Sequence, residues 1–253
     1  MSTGATIGWI SGSVLRIRRS QVEAALVRAG IDEPRAVAAA MYRRLGIALV
    51  DFVRARSPSE VDTNELDSAL ANGPVVVFAS HAGNWELAAA GAARHLRAHG
   101  RELYVVAKPM HSAFFDRWLS RLRQRLGIRV IAPAGAIASA ANVLARGDVV
   151  AMPIDQVPER EAHGEWLDFL GAPALVDRAP ATVAYRAKAT VLVVAGGRVL
   201  DVIPFRPGRD WIAATTRRAT EALELHIRQD PASWMWLHRR WKRPRLVASR
   251  RAE

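Results

Sequence analysis

Cysteine is absent from this sequence of 253 residues. Its absence excludes disulfide bonds, zinc sites built on thiolates and catalysis by a cysteine nucleophile. No apolar run reaches the roughly 20 residues that cross a bilayer as a helix. Residues 7–15 come nearest, but Gly8, Ser11, Gly12 and Ser13 interrupt them and no basic residue precedes them. That pattern is not typical of a signal peptide. We therefore expect a chain that is not exported and has no membrane-spanning segment.

Lysine is scarce, so that arginine makes up 33 of the 36 basic residues. With 24 acidic residues, the formal net charge is +12. Because arginine binds phosphate and carboxylate groups with two hydrogen bonds, this excess predicts an anionic partner. Nucleic acid, phospholipid and an acidic carrier protein all meet that description. A nucleic-acid-binding protein is kept as an alternative because residues 234–245 are rich in tryptophan and arginine.

Motifs for phosphate-bearing cofactors are also missing. The sequence contains neither a Walker A motif nor Gly-x-Gly-x-x-Gly, and its histidines do not show metal-ligand spacing. We therefore predict no metal and no cofactor. No recognised nucleic-acid-binding motif is present, which argues against a nucleic-acid partner.

Short β-branched runs alternate with amphipathic stretches of helical length. This pattern predicts strands at residues 74–80, 102–107, 128–132, 149–154, 191–195 and 198–203, and helices at 35–56, 85–99, 114–126, 136–146, 180–188, 211–228 and 231–241. Residues 155–174 lack a clear period and are predicted to form a loop. The alternation is typical of an α/β fold, a single domain with a mostly parallel central sheet flanked by helices and an N-terminal helical pair. The predicted divisions are an N-terminal helical, membrane-proximal segment (1–56), the main domain (57–243) and a basic tail (244–253).

The most informative segment is residues 80–86, Ser-His-Ala-Gly-Asn-Trp-Glu. His81 comes just after the first predicted strand, at the edge where open α/β sheets bind ligands. Asn84 is a good helix N-cap, and Glu86 falls in the first turn of the next helix. A carboxylate folded back onto the imidazole would hold one ring N–H, while the other nitrogen takes a proton from a hydroxyl group. The same spacing is also typical of simple helix capping.

The hydroxyl group that loses this proton is expected to come from a substrate. The sequence has no Gly-x-Ser-x-Gly nucleophile elbow, so an acyl-enzyme on serine is not predicted. Direct acyl transfer to a substrate hydroxyl fits this pattern. With water in place of that hydroxyl, the same dyad would act as a thioester hydrolase, and this alternative stays open.

An ordered set of segments carries a family resemblance. Besides residues 81–86, the set comprises Lys108-Pro109, residues 116–123 (DRWLSRLR), 153–156 (PIDQ), 169–173 (FLGAP) and 234–242 (WMWLHRRWK). These segments resemble the motifs of the bacterial lipid A late acyltransferases of the lauroyl/myristoyl type, in the lysophospholipid acyltransferase superfamily. The resemblance extends over roughly residues 17–243 and implies a fold like that of glycerol-3-phosphate acyltransferase.

The resemblance also implies roles for particular residues. It implies that His81 is the general base and Glu86 its partner. It further implies that the following residues bind the substrates: Gly83, Asn84, Trp85, Lys108, Arg117, Asp155, Gln156, His238 and Arg239. The implied reaction is transfer of a fatty acyl chain from acyl-acyl carrier protein, or from acyl-CoA, to a hydroxyl of lipid A or another glycolipid or lipid. The implied pathway is lipid A and lipopolysaccharide biosynthesis.

The sequence departs from the family pattern at three places. Family members usually begin with a membrane-spanning anchor, the second motif usually has arginine where Lys108 stands, and residues 176–178 replace a commonly threonine-rich stretch. Because a lipid acceptor still requires contact with a bilayer, we expect a peripheral protein on the cytoplasmic face of the inner membrane. Arg16, Arg18, Arg19 and a second basic cluster at residues 239–251 would attract anionic lipid. The apolar side chains expected to insert shallowly are Ile7, Trp9, Ile10, Val14 and Leu15.

Overall fold

The computed structural model describes residues 2–54, 61–110 and 112–242. The predicted boundary between residues 56 and 57 and the predicted tail at 244–253 lie outside the described residues. The predicted division into segments therefore stays a prediction.

The core of the fold is a six-stranded sheet. Eight strands occur in the described chain: β1 (Val75–Ala79), β2 (Leu103–Val106), β3 (Ile128–Ile131), β4 (Val149–Pro153), β5 (Gly164–Phe169), β6 (Ala172–Asp177), β7 (Thr190–Ala195) and β8 (Arg198–Ile203). Six form the sheet in the order β3-β2-β4-β1-β7-β8. All neighbouring strands are parallel except β7 and β8, which the Gly196-Gly197 turn joins. The predicted α/β fold with a mostly parallel sheet is confirmed.

Helices cover both faces of this sheet. The described α-helices are α1 (Thr3–Trp9), α2 (Arg19–Arg28), α3 (Pro34–Val53), α4 (Asn64–Ala71), α5 (Trp85–Ala98), α6 (Ala113–Arg125), α7 (Ala136–Ala145), α8 (Ala179–Ala187) and α9 (Trp211–Gln229). Alternate side chains of β1 point into two separate cores, as expected for a strand buried on both sides. Val76 and Phe78 pack with α2, α3 and α7 to α9, whereas Val75 packs with α4 and α5. None of the helices among the described residues is long and apolar enough to cross a bilayer.

The N-terminal helix packs on α3 through glycines. Gly4, Gly8 and Gly12 lie one helical turn apart on the buried side of α1 and of the π-helical turn Ile10–Val14 that continues it. A Cβ atom built on Gly8 would lie 2.1 Å from the carbonyl oxygen of Tyr42, and one on Gly46 would lie 2.2 Å from the carbonyl oxygen of Gly4. The two backbones therefore approach so closely that no larger side chain fits between them.

A first prediction tests this close contact. In the Gly8→Leu protein the added side chain must push α1 away from α3, because the obstacle is backbone. Overpacking of this kind costs about 1–3 kcal/mol, so we expect α1 to detach and trypsin to cleave after Arg16 and Arg18 at least about 5-fold faster. Limited proteolysis followed by mass spectrometry measures this rate. Thr6→Leu, on the exposed side of the same helix, is the matched control. Equal cleavage rates in the two variants would contradict the prediction.

The predicted loop at residues 155–174 is partly wrong. The chain there forms the antiparallel hairpin β5–β6, which lies outside the main sheet. Its two-residue turn places both Leu170 and Gly171 in the left-handed region, at φ 51° and 76°. Leucine rarely adopts this conformation, so the pattern did not indicate a turn. A tertiary contact holds it: the Leu170 side chain is buried, and its N–H donates to Glu224 of α9 at 2.9 Å.

The predicted helix at residues 231–241 is also wrong. Only a 3-10 turn forms, at Pro231–Ser233, and the chain then runs extended through Trp234. Trp234 forms an antiparallel bridge with Ala82, and the N–H of Met235 donates to the carbonyl of His81 at 2.9 Å. Tryptophans at 234 and 236 are both buried. Both tryptophans are therefore buried without a helix, in a segment of one bridge and irregular turns.

Candidate active site

The site forms at the carboxyl edge of the sheet, where β1 and β4 end side by side. These parallel strands are paired with Ala79 opposite Pro153. His81 follows β1 by two residues and Asp155 follows β4 by two residues. The strand register thus brings together an imidazole and a carboxylate that are 74 residues apart in the sequence.

Asp155 is fully buried, and each of its oxygen atoms has a donor. Oδ1 lies 2.9 Å from Nδ1 of His81. Oδ2 accepts the backbone N–H of His81 at 2.6 Å and the indole N–H of Trp234 at 3.0 Å. Since a carboxylate only accepts hydrogen bonds, the His81 proton sits on Nδ1. Nε2 is left as the ring atom that can take a proton.

Electrostatics favour the charged form of both partners. Burial by itself would lower the pKa of His81, but the attraction of Asp155 and their hydrogen bond outweigh it and raise that pKa. Burial likewise opposes ionisation of Asp155, yet the charge and hydrogen bond of His81 hold its pKa well below the usual range. The pair is built to stabilise an imidazolium once His81 accepts a proton.

Two aromatic rings enclose the imidazole. Trp85 packs edge-on against it with ring centroids 5.2 Å apart, and His238 does so at 4.7 Å. Burial, followed by the charge of His81, lowers the pKa of His238 to about 4, so His238 is neutral near neutral pH. Nε2 of His238 is buried and lacks a hydrogen-bond partner among the described residues. His238 therefore offers an uncharged polar edge beside His81.

The predicted hydrogen bond between Glu86 and His81 is not formed, because Asp155 occupies the ring nitrogen. Glu86 instead binds Arg123 of α6 through both carboxylate oxygens, one of them at 3.1 Å from Nε. Both side chains are largely buried. The sequence contained no signal for this ion pair. The negative charge of Glu86 still contributes to raising the pKa of His81.

The loop after His81 depends on glycine and asparagine. Gly83 adopts φ +61°, and a Cβ built on it would lie 3.0 Å from Cα of Gly196 in the β7–β8 turn. Its N–H donates to the carbonyl of Ser233 at 2.8 Å. Asn84 caps α5 by accepting the N–H of Leu87 and also donates to the carbonyl of Ala48 in α3, both at 3.3 Å. Sheet, α3 and the C-terminal segment thus all hold this loop.

Other residues predicted to bind substrates occupy different surroundings. Asp155 does not line an open surface, because it is buried and satisfied as described above. Lys108 is exposed and pairs with Glu159 at 3.4 Å. Arg239 is exposed and donates to Gln21 of α2 at 3.1 Å. Arg117 is exposed on α6, and Gln156 is half-buried next to Asp155.

Arg240 is a buried cation that the sequence did not single out. It lies over the ring of Phe169, 5.1 Å from the centroid, and donates to the carbonyl of Leu175 at 2.7 Å. Burial lowers its pKa to about 10. This arginine joins the C-terminal segment to the β5–β6 hairpin, so its contacts in the structure are internal.

His81, Asp155 and His238 also meet the distance requirement of a metal site. Each offers a ligand atom, and these atoms lie within 4.8 Å of one another. The hydrogen bonds at both oxygens of Asp155 are those of a carboxylate that orients a histidine. The three residues therefore fit proton transfer with the hydrogen bonds that the structure shows, and a bound metal ion is not needed to explain them.

A cavity of about 490 Å³ adjoins the His81 loop. Its wall comprises Met41 and Leu45 of α3 on one side and Trp85, Trp234 and Met235 on the other. At its edge Arg44 and Asp230 form an ion pair, with Nη1 to Oδ1 at 2.7 Å. Its volume is in the range of cavities that bind small molecules. Trp85, which packs against the ring of His81, and Trp234, which donates to Asp155, thus both line this mostly apolar cavity.

A family model described as bacterial lipid A biosynthesis acyltransferase matches residues 2–243. The match includes the whole His81 loop, Asp155 and the extended segment after α9. No curated protein matches the chain.

Proposed function

The chain belongs to the family of bacterial lipid A biosynthesis acyltransferases, and on this premise we propose that it transfers a fatty acyl chain from a thioester to a hydroxyl of a lipid A-type or related glycolipid acceptor. Acyl-acyl carrier protein and acyl-CoA are the two donor classes. The observation that supports this best is the hydrogen bond from Nδ1 of His81 to the buried carboxylate of Asp155, which leaves Nε2 to act as a base.

The proposed reaction is a direct transfer. Nε2 of His81 takes the proton of the acceptor hydroxyl as that oxygen attacks the thioester carbonyl carbon. The carbonyl π bond opens to an oxyanion, and its collapse breaks the carbon–sulfur bond. The proton on His81 then passes to the departing sulfur, so that ester and thiol are the products. Asp155 stabilises the imidazolium between these steps and keeps the ring in one orientation.

Asp155 is the proposed partner of the base His81. The proposed role of Glu86 is different. Its carboxylate positions Arg123 beside the site and supplies negative charge near His81. Trp85 and His238 shape the surroundings of the base, and Gly83 and Asn84 hold its loop. Lys108, Arg117, Gln156 and Arg239 are proposed contacts for phosphate or other anionic groups of donor and acceptor, which the positive net charge also favours.

The cavity beside Trp85 is the proposed site of the acyl chain. Methionine, leucine and tryptophan side chains make up much of its wall, so burying an alkyl chain there removes apolar surface from water. Asn84 and Ser233 supply polar groups where the cavity meets the loop. A chain seated here would hold its thioester carbon near Trp85, whose ring packs against His81.

An assay of products tests this function. Purified protein is incubated with acyl-acyl carrier protein or acyl-CoA, each with and without a lipid A precursor, and the lipids are analysed by mass spectrometry. We expect the acceptor to gain one acyl mass and free fatty acid to remain at background. Free fatty acid without acylated acceptor would identify a thioester hydrolase. A donor consumed at equal rates with and without acceptor would also contradict the transferase.

The N-terminal helix supports the proposed peripheral location on the cytoplasmic face of the inner membrane. Its glycines face α3, whereas Ile7, Trp9, Ile10, Val14 and Leu15 are all exposed. This is the reverse of a helix whose large apolar side chains face the protein core. Leu15 is 64% exposed, and Arg16 next to it is exposed as well. Shallow insertion of this apolar face beside basic residues gives reversible binding to anionic lipid.

The other predicted lipid-facing cations have partly different positions. Arg18 donates to the carbonyl of Leu237 at 3.2 Å, and Arg19 pairs with Glu23 at 2.6 Å. Most of the predicted cluster at residues 239–251 lies outside the described residues. The proposed attraction to the membrane therefore rests mainly on the apolar N-terminal face and on Arg16.

A further inference from the structure

Helix α6 lies on the surface of the fold and exposes large aromatic side chains. It is 13 residues long, and none of its residues is buried. Phe114 is 67% exposed, more than any other large apolar side chain among the described residues. Phe115 and Trp118 are exposed as well, and Met110 just before the helix is 47% exposed. Large aromatic side chains in this position mark a surface that contacts something outside the protein.

The outward face of α6 changes character along its length. Phe114, Trp118, Arg121 and Arg125 follow one another at steps of four, three and four residues and are all exposed. They therefore form one row, aromatic near the start of the helix and basic near its end. Such a face matches an interfacial helix, whose aromatic groups enter the apolar layer while its cations contact phosphate groups.

The inward face of α6 is bonded to a residue of the candidate active site. Arg123 lies on the side of α6 opposite the row and forms the ion pair with Glu86, in the first turn of α5. At the start of the helix, the N–H of Met110 donates to Asp116 at 2.8 Å, which fixes the connection from β2. The ion pair thus joins the inward face of α6 to the helix that follows His81.

We propose that α6 is a second membrane-binding element, separate from the N-terminal helix, and that its partner is an anionic phospholipid surface. Phe114 and Trp118 enter the interface, and Arg121 and Arg125 bind lipid phosphates. This inference deepens the proposed membrane location, on which it rests. Contact at α6 would set the lipid surface beside Glu86 and His81, where a lipid acceptor has to arrive. An acidic carrier protein bound to the same face is the competing outcome.

The absence of cysteine allows a direct test. Phe114→Cys and, as a matched control, Leu225→Cys on the exposed side of α9 each provide one thiol for an environment-sensitive fluorophore. On vesicles of phosphatidylglycerol and phosphatidylcholine, we expect the label at position 114 to shift to the blue and to be quenched by spin-labelled lipid. The label at position 225 should do neither. A label at 114 that stays in water while the protein sediments with vesicles would overturn the proposal.

A second pair of variants tests the basic half of the row. Arg121→Ser combined with Arg125→Ser should bind the anionic vesicles about 10-fold more weakly, with a smaller salt dependence. Trp166→Ser combined with Leu225→Ser, which removes two other exposed apolar side chains, should bind as the unmodified chain does. Equal losses in both double variants would contradict a specific role for α6.

The remaining outcomes separate this proposal from its alternatives. A shift of the label at 114 on adding acyl carrier protein, with none on adding vesicles, would assign α6 to protein docking and overturn the lipid proposal. Failure of all variants and of the unmodified chain to bind vesicles would overturn it together with the membrane location. None of these measurements requires turnover, so a negative acyl-transfer assay leaves their interpretation unchanged. Thermal unfolding of each variant verifies that it is folded.

Discussion

The His81→Ala protein is expected to transfer acyl groups about 10²–10⁴-fold more slowly than the unmodified chain. The reason is that Nε2 of His81 is the base in the proposed reaction and the alanine side chain cannot accept a proton. The loss should appear in kcat, since removing the base affects the transition state more than binding of the donor. Steady-state rates with a thioester donor and a lipid acceptor measure it.

Two controls separate loss of chemistry from loss of structure. His81→Ala also leaves the buried carboxylate of Asp155 without its ring partner, which destabilises the fold. His81→Asn keeps a side chain that can donate toward Asp155 but is no base, so it should be equally slow with less effect on thermal unfolding. His99→Ala, at the exposed histidine that follows α5 as its C-cap, should retain full activity. Retention of the transfer rate in a folded His81→Asn protein would rule out the proposed mechanism.

A loss of similar size, about 10²–10⁴-fold, is expected for Asp155→Asn, together with a change in pH dependence. The base acts in its neutral form, and Asp155 raises the pKa of His81. The rate of the unmodified chain should therefore rise with pH through a pKa above the ordinary value of a histidine. Without the carboxylate, burial becomes the dominant influence and lowers that pKa. The acidic limb of the kcat/KM profile should then move to lower pH.

Glu86→Gln distinguishes the two carboxylates near the base. Glu86 raises the pKa of His81 only through its charge, without a hydrogen bond to the ring. Its replacement should move the acidic limb in the same direction by a smaller amount and should slow transfer less than Asp155→Asn. An equal displacement of the limb by Glu86→Gln and Asp155→Asn would contradict the larger influence assigned to Asp155.

Local patterns were sufficient for most elements of the main domain. Short apolar runs identified the strands of the six-stranded sheet. Helix α4 was not predicted. Two other segments were predicted wrongly, at Leu170 and at residues 231–241. In each, a tertiary contact overrides the local preference: Glu224 holds an unfavourable leucine turn, and the His81 loop pairs with a segment whose spacing resembles a helix.

For the site, the sequence by itself determined the types of group available and where along the chain each stands: His81 after one buried strand, Asp155 after another, and His238 in a tryptophan-rich segment near the end. Tertiary structure decided which of them touch. Glu86 is five residues from His81, yet Asp155 is its partner, because β1 and β4 are neighbours in register and their ends coincide. Glu86 instead forms an ion pair with Arg123 of α6. Strand order and helix packing depend on contacts between distant parts of the chain, and spacing along the sequence contains no measure of those distances.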